Sequence, residues 1–127
     1  MLKINLTCAL RRLKSGYHPR FGILIDMVGD ADLEIYKEIN SCSFARAVVE
    51  KVWDKAAELS LKTFHSDARH AMLDDHLPLL EAGIPCIDII DFDYPYWHTL
   101  GDTPDKCSAA SLEQIGCLLA AVIYEEN

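Results

Sequence analysis

No aspartate or glutamate precedes Asp26, although the chain carries 20 of them in 127 residues. Lys3, Arg11, Arg12, Lys14 and Arg20 do lie in that opening stretch, so it can supply neither a carboxylate base nor a carboxylate metal ligand. Further absences narrow the field. The cysteines Cys8, Cys42, Cys86, Cys107 and Cys117 form no C-x-x-C pair, which argues against a zinc ribbon or a dithiol redox motif. An odd, scattered set predicts free thiols in a reducing compartment. No H-E-x-x-H motif occurs, and no apolar run reaches the ~20 residues a membrane span needs. Residues 1–10 are too short and too polar for a secretory signal. The chain as written therefore reads as cytoplasmic, with no membrane partner. A net charge of −8 argues against a nucleic-acid partner.

What is present reads as one domain, residues 1–127, with an ordinary apolar content of 50%. Ile4, Leu6, Ala9, Leu10 and Leu13 fit either a helix or a short strand. Residues 21–28 are nearly continuous apolar sequence broken by Asp26 and ended by Gly29, the pattern of a strand covered on both faces. A polar loop follows. Phe44, Val48, Val52, Ala56 and Leu59 then recur at helical spacing over residues 42–61, with Ser41 or Ser43 as cap. Residues 62–66 suggest a short strand. A short helix over 77–81 ends at Gly83 and leads into an apolar strand over 84–90. Ser111 and Gln114 suggest a capping box for a terminal helix with Leu112, Ile115, Leu119, Val122 and Ile123 on its apolar side. Alternation of this kind predicts an α/β sheet with helices packed on it.

The chemistry concentrates in residues 74–106, where seven aspartates, two histidines and a tryptophan crowd around one apolar strand. In open α/β sheets ligands bind outside the carboxyl ends of the strands. Asp26 lies at such an end, the Asp74-Asp75-His76 run precedes the helix before the second strand, and Trp97-His98-Thr99 follows that strand. Carboxylates with an imidazole are a common zinc shell. Each residue also has a plainer reading. Asp26 could cap a turn, Asp74 and Asp75 could cap the next helix, and His98 could be a packed loop residue beside Trp97. His18, His65 and His70 read as surface residues. Asp88 is the oddest, because it interrupts a strand that should be buried, and a buried carboxylate needs partners or a raised pKa.

At these residues the chain resembles the zinc-dependent family of bacterial aminopeptidases and glutaminyl-peptide cyclotransferases (glutaminyl cyclases). The resemblance covers roughly residues 17–124. It rests on residues 25–29, on Asp74-Asp75-His76-Leu77-Pro78 with Gly83-Ile84-Pro85, and on Trp97-His98-Thr99 with Asp102-Thr103-Pro104-Asp105. Bacterial cyclase-like members are the most similar in these motifs. The resemblance implies a partial three-layer zinc-exopeptidase-like (phosphorylase/hydrolase-like) α/β sheet with helices on both faces.

It also implies residue roles. His98 matches the last zinc ligand. Asp26 matches an acid that binds the second zinc in two-metal aminopeptidases and hydrogen-bonds in cyclases. Asp74 matches an acid of the cyclase active-site network. Trp97 walls the substrate pocket, and Asp88 stands in that pocket's network where animal cyclases carry a histidine. The family's bridging aspartate and the acidic pair that supplies a zinc ligand and the general base lie upstream, where this chain has no acid. The expectation is thus the C-terminal half of a zinc-dependent protein that processes peptide or protein N-termini, inactive as this chain alone. The alternative is a non-catalytic scaffold remnant without a metal site. Either would expose a strand edge and favour a homo-oligomer, and a full-length relative could be exported or periplasmic.

Overall fold

A computed structural model of the chain describes residue 11 and residues 14–126. Most of the opening segment expected as helix or strand lies outside the described residues. The elements then run β1 (Gly22–Asp26), β2 (Ile35–Glu38), α1 (Ile39–Phe44), α2 (Arg46–Glu58), β3 (Phe64–Arg69), α3 (His76–Glu81), β4 (Cys86–Ile90), a 3-10 turn (Pro104–Lys106) and α4 (Ala109–Glu125). The α/β alternation is as expected.

Two parallel pairs build the sheet layer. β1 lies beside β4, with Gly22 opposite Cys86, Leu24 opposite Asp88 and Asp26 opposite Ile90. β2 pairs with β3, and β2 also lies against β4. Among the described residues no backbone ladder joins β2 to β4. Side chains take over some of that role: the Asp88 N–H donates to Ser41 Oγ at 3.0 Å and the Glu34 N–H to Asp91 Oδ2 at 3.1 Å.

β4 is buried at every residue, and its alternation defines the layers. Ile87 and Ile89 join the core with Val48, Val49, Val52 and Ala56 of α2 and Ile115, Leu118 and Val122 of α4. Each such side chain contributes about 1.5–3 kcal/mol by leaving water. Asp88 meets the opposite layer, made by α1 and α3: its N–H bonds Ser41 and its carboxylate lies 3.8 Å from His76 Nδ1. Helices therefore cover both faces, as the resemblance implied.

Several local expectations need correction. β1 is only half-buried and becomes exposed at Ile25 and Asp26. Its sole ladder partner among the described residues is β4, so none of those residues pairs its other edge. The expected polar loop contains β2, which is anchored in the core by its own Ile35 and by Leu33 just before it. The single helix expected over 42–61 is two, broken at Ala45 (φ −138°, ψ 38°), and the side chain that caps the first is Glu38 rather than a serine. The 62–66 strand is β3, shifted to start at Phe64. In α4 the cap is Ser108, and the buried face is Ser111, Ile115, Leu118 and Val122, while Leu112 and Ile123 face outward. Gly83 does stop α3, in the left-handed region at φ 81°.

Candidate active site

Asp26 stands at the carboxyl end of β1, within range of the charge of Asp74. Burial raises the Asp26 carboxyl above its ordinary range, and the charges of Asp74 and Asp75 raise it further. The capping role considered for Asp74 and Asp75 is absent: Asp75 occupies the N-cap position of α3 without a side-chain cap bond, and Asp74 Oδ1 accepts the Asp75 N–H at 2.6 Å. Asp88, one strand over, is completely buried. Burial, followed by the charge of Asp74, raises its carboxyl to about 7, against an opposing pull from His76.

Beneath these acids lies a buried polar cluster that the motif reading did not single out. Glu38, Ser41 and His76 are each 0–1% exposed. Glu38 Oε2 lies 3.2 Å from His76 Nε2 and accepts the Ser41 hydroxyl at 2.7 Å. Burial alone would raise the Glu38 carboxyl, but His76, the Met72 N–H, the Ser41 hydroxyl and the Asn40 N–H together hold it down at about 2. The available signal was local: an acid two and three residues before Asn40 and Ser41 is a helix-cap pattern.

A wall of rings completes the site. The Trp97 and His98 rings stack at 4.1 Å, Phe92 meets Trp97 edge-on at 5.2 Å, and His70 meets Phe92 at 5.2 Å. His70 is exposed, as its surface reading has it, and is braced by Asp93 at 2.8 Å, which Arg69 also contacts at 3.2 Å. Met27, His70 and His98 all adopt left-handed backbone, at φ 52°, 57° and 55°. Such conformations cost of the order of 1–3 kcal/mol and cluster at functional sites. Next to this wall a hollow of about 140 Å³ is lined by Met27, Gly29, Tyr94, Trp97, Asp102 and Lys106. A larger hollow of about 520 Å³, lined by Arg20, Phe21, Lys51 and Pro85, opens at the amino ends of β1 and β4. The carboxyl-end hollow is the candidate site, because that is where open α/β sheets bind ligands.

The model of Peptidase family M28 matches residues 10–123. The chain belongs to that family. Within M28 it is similar to the glutaminyl-peptide cyclotransferase of Gloydius blomhoffii, 29% identical over 58 residues, which is 45% of this chain and 16% of the relative. The solved glutaminyl cyclase of Tannerella forsythia is 39% identical with a TM-score of 0.82, covering 87% of this chain and 41% of that one. A Zn-dependent exopeptidase from Parabacteroides distasonis is 32% identical with a TM-score of 0.87, covering 94% of this chain and 44% of that one. The chain spans less than half the length of these solved relatives.

Such neighbours imply zinc in the family, and the residues of this chain can be tested against it. Among the described residues no three His, Cys, Asp or Glu side chains are grouped to hold a metal ion. The His98 ring is stacked on Trp97, and Asp26 has carboxylates rather than an imidazole as its charged neighbours. A zinc site wants at least three protein ligands, so the described residues of this M28 chain do not complete one. The four described cysteines, Cys42, Cys86, Cys107 and Cys117, are free thiols, and burial raises Cys86 to about 11, which makes it inert as a ligand.

Proposed function

We propose that the chain forms one wall of a zinc-dependent site that processes peptide or protein N-termini, of the exopeptidase or glutaminyl-cyclase type, and that it is inactive by itself. The observation that carries this reading is the charge of Asp74 acting on Asp26 at the end of β1, where the next residue, Met27, lines a hollow with Trp97, while no group of three metal-ligating side chains occurs among the described residues. Two such carboxylates suit the α-ammonium of a peptide N-terminus, which they would hold by charge-assisted hydrogen bonds. Trp97, half exposed, would pack its face on the first side chain. The hollow past Met27 would take the residues that follow.

The test is turnover. Purified chain with added zinc is assayed for glutaminyl cyclisation and for aminopeptidase activity; the expected result is no activity above buffer. Turnover that disappears in His98→Ala would overturn the inactivity.

A second reading is a non-catalytic, self-associating scaffold. It is favoured by the edge of β1 that no strand pairs among the described residues, where Ile25 is half exposed, because an unpaired apolar strand edge is a template for another strand. A homo-oligomer is compatible with both readings.

A further inference from the structure

One carboxylate outside the expected site holds both ends of the acid-bearing turn. Glu38 Oε1 accepts the Met72 N–H at 2.9 Å, and Glu38 Oε2 lies 3.2 Å from His76 Nε2. Asn40 Nδ2 adds a second hold on this turn by donating to the Met72 carbonyl at 3.0 Å. Residues 72–76 therefore leave and return to the same side chain, and Asp74 and Asp75 are the acids carried between. The carboxylate is itself fixed from below. It accepts the Asn40 N–H at 2.9 Å, the Ser41 N–H at 2.6 Å and the Ser41 hydroxyl at 2.7 Å. That hydroxyl oxygen in turn accepts the Asp88 N–H at 3.0 Å, tying the assembly to β4.

Burying an ionised carboxylate costs several kcal/mol before its partners are counted, far more than capping a six-residue helix returns. A mechanical need explains it better. The 72–76 turn carries Asp74, whose charge bears on both Asp26 and Asp88, and like charges favour its displacement. Something rigid must oppose it.

We infer that Glu38 is a positioning residue: by accepting the Met72 N–H and lying against His76 it fixes the 72–76 turn that carries Asp74 and Asp75. This rests on the reading of Asp26 and Asp74 as site residues, but neither zinc nor turnover enters its test. The readout is amide hydrogen exchange by NMR in the intact chain and in Glu38→Ala. The Asp75 and Leu77 amides are informative because they bond to Asp74 rather than to Glu38. In Glu38→Ala they are expected to lose at least about tenfold protection while the Ile87 and Ile89 amides of β4 keep theirs. An equal loss everywhere, or unchanged Asp75 and Leu77 amides in a folded variant, would overturn the inference. The unsubstituted chain decides if the variant does not fold. There the Met72 amide is expected to be protected to the same degree as Leu77, and a freely exchanging Met72 amide refutes the anchor.

Discussion

Asp88 stands opposite Leu24 in the β1–β4 ladder with its side chain fully buried, and neither carboxyl oxygen receives a hydrogen bond from another residue among those described. A group placed this way is more easily kept neutral than charged.

The pH consequence has a definite sign. Burial raises the Asp88 carboxyl from 3.8 to about 7 in the folded chain. Its contribution is therefore fully present below the unfolded value and is lost as pH rises through about 7. Asp91, raised by burial to about 6, acts in the same direction. Glu38 acts oppositely but only at more acidic pH, since its carboxyl is held at about 2. Denaturant unfolding between about pH 5 and about pH 8 should show the chain losing stability, and Asp88→Asn should remove up to ~2.5 kcal/mol of that loss. Identical pH profiles for the two proteins would show that Asp88 is ionised throughout.

The face of α4 gives a second prediction. Leu118 is completely buried and Leu112 is half exposed. Leu118→Ala is expected to cost about 2–5 kcal/mol and Leu112→Ala about 0.5 kcal/mol or less, read from thermal or urea unfolding. Equal costs would mean that the helix is rotated.

Two glycines should respond with opposite signs. Gly116 lies inside α4, and an added Cβ meets nothing within 4 Å, so Gly116→Ala should stabilise by about 0.5–1 kcal/mol. Gly83 is equally open but has φ 81°, so Gly83→Ala should destabilise by about 1 kcal/mol. The pair is measured by the same unfolding curves.

Self-association through β1 can be tested at one position. Ile25→Lys places a charge on the exposed end of that strand, and lysine is a usual blocker of strand edges. Analytical ultracentrifugation should show the unsubstituted chain associating with rising concentration and the variant shifted toward monomer. Association unaffected by the substitution would place the contact elsewhere.

The strands that carry site residues were legible because a buried parallel strand leaves an uninterrupted apolar run, as at Ile87–Asp88–Ile89, and the acid within that run pointed to the interior. The Asp26 end of β1 and the Trp97–His98 pair were legible from motif. β2 was not, since Glu34, Tyr36 and Lys37 dilute its apolar signal and its burial comes from Leu33 and Ile35 packing on distant helices. The break at Ala45 was equally hidden, because alanine is the strongest helix former and only its backbone angles interrupt the helix. Glu38 escaped notice for another reason. Its partners Met72 and His76 are 34 and 38 positions away in sequence, and only the fold brings them to one carboxylate. The covering of β1 was over-read: its composition is that of a strand covered on both faces, while its residues run from half-buried to exposed.

The measurement that tests the account most directly is the zinc stoichiometry of the purified chain by equilibrium dialysis at micromolar free zinc, with His98→Ala and Asp26→Asn alongside. Asp26 and His98 are too few for a closed or catalytic shell, so the account predicts well under one zinc per chain and no difference among the three proteins. About one zinc per chain, lost in both variants, would contradict it.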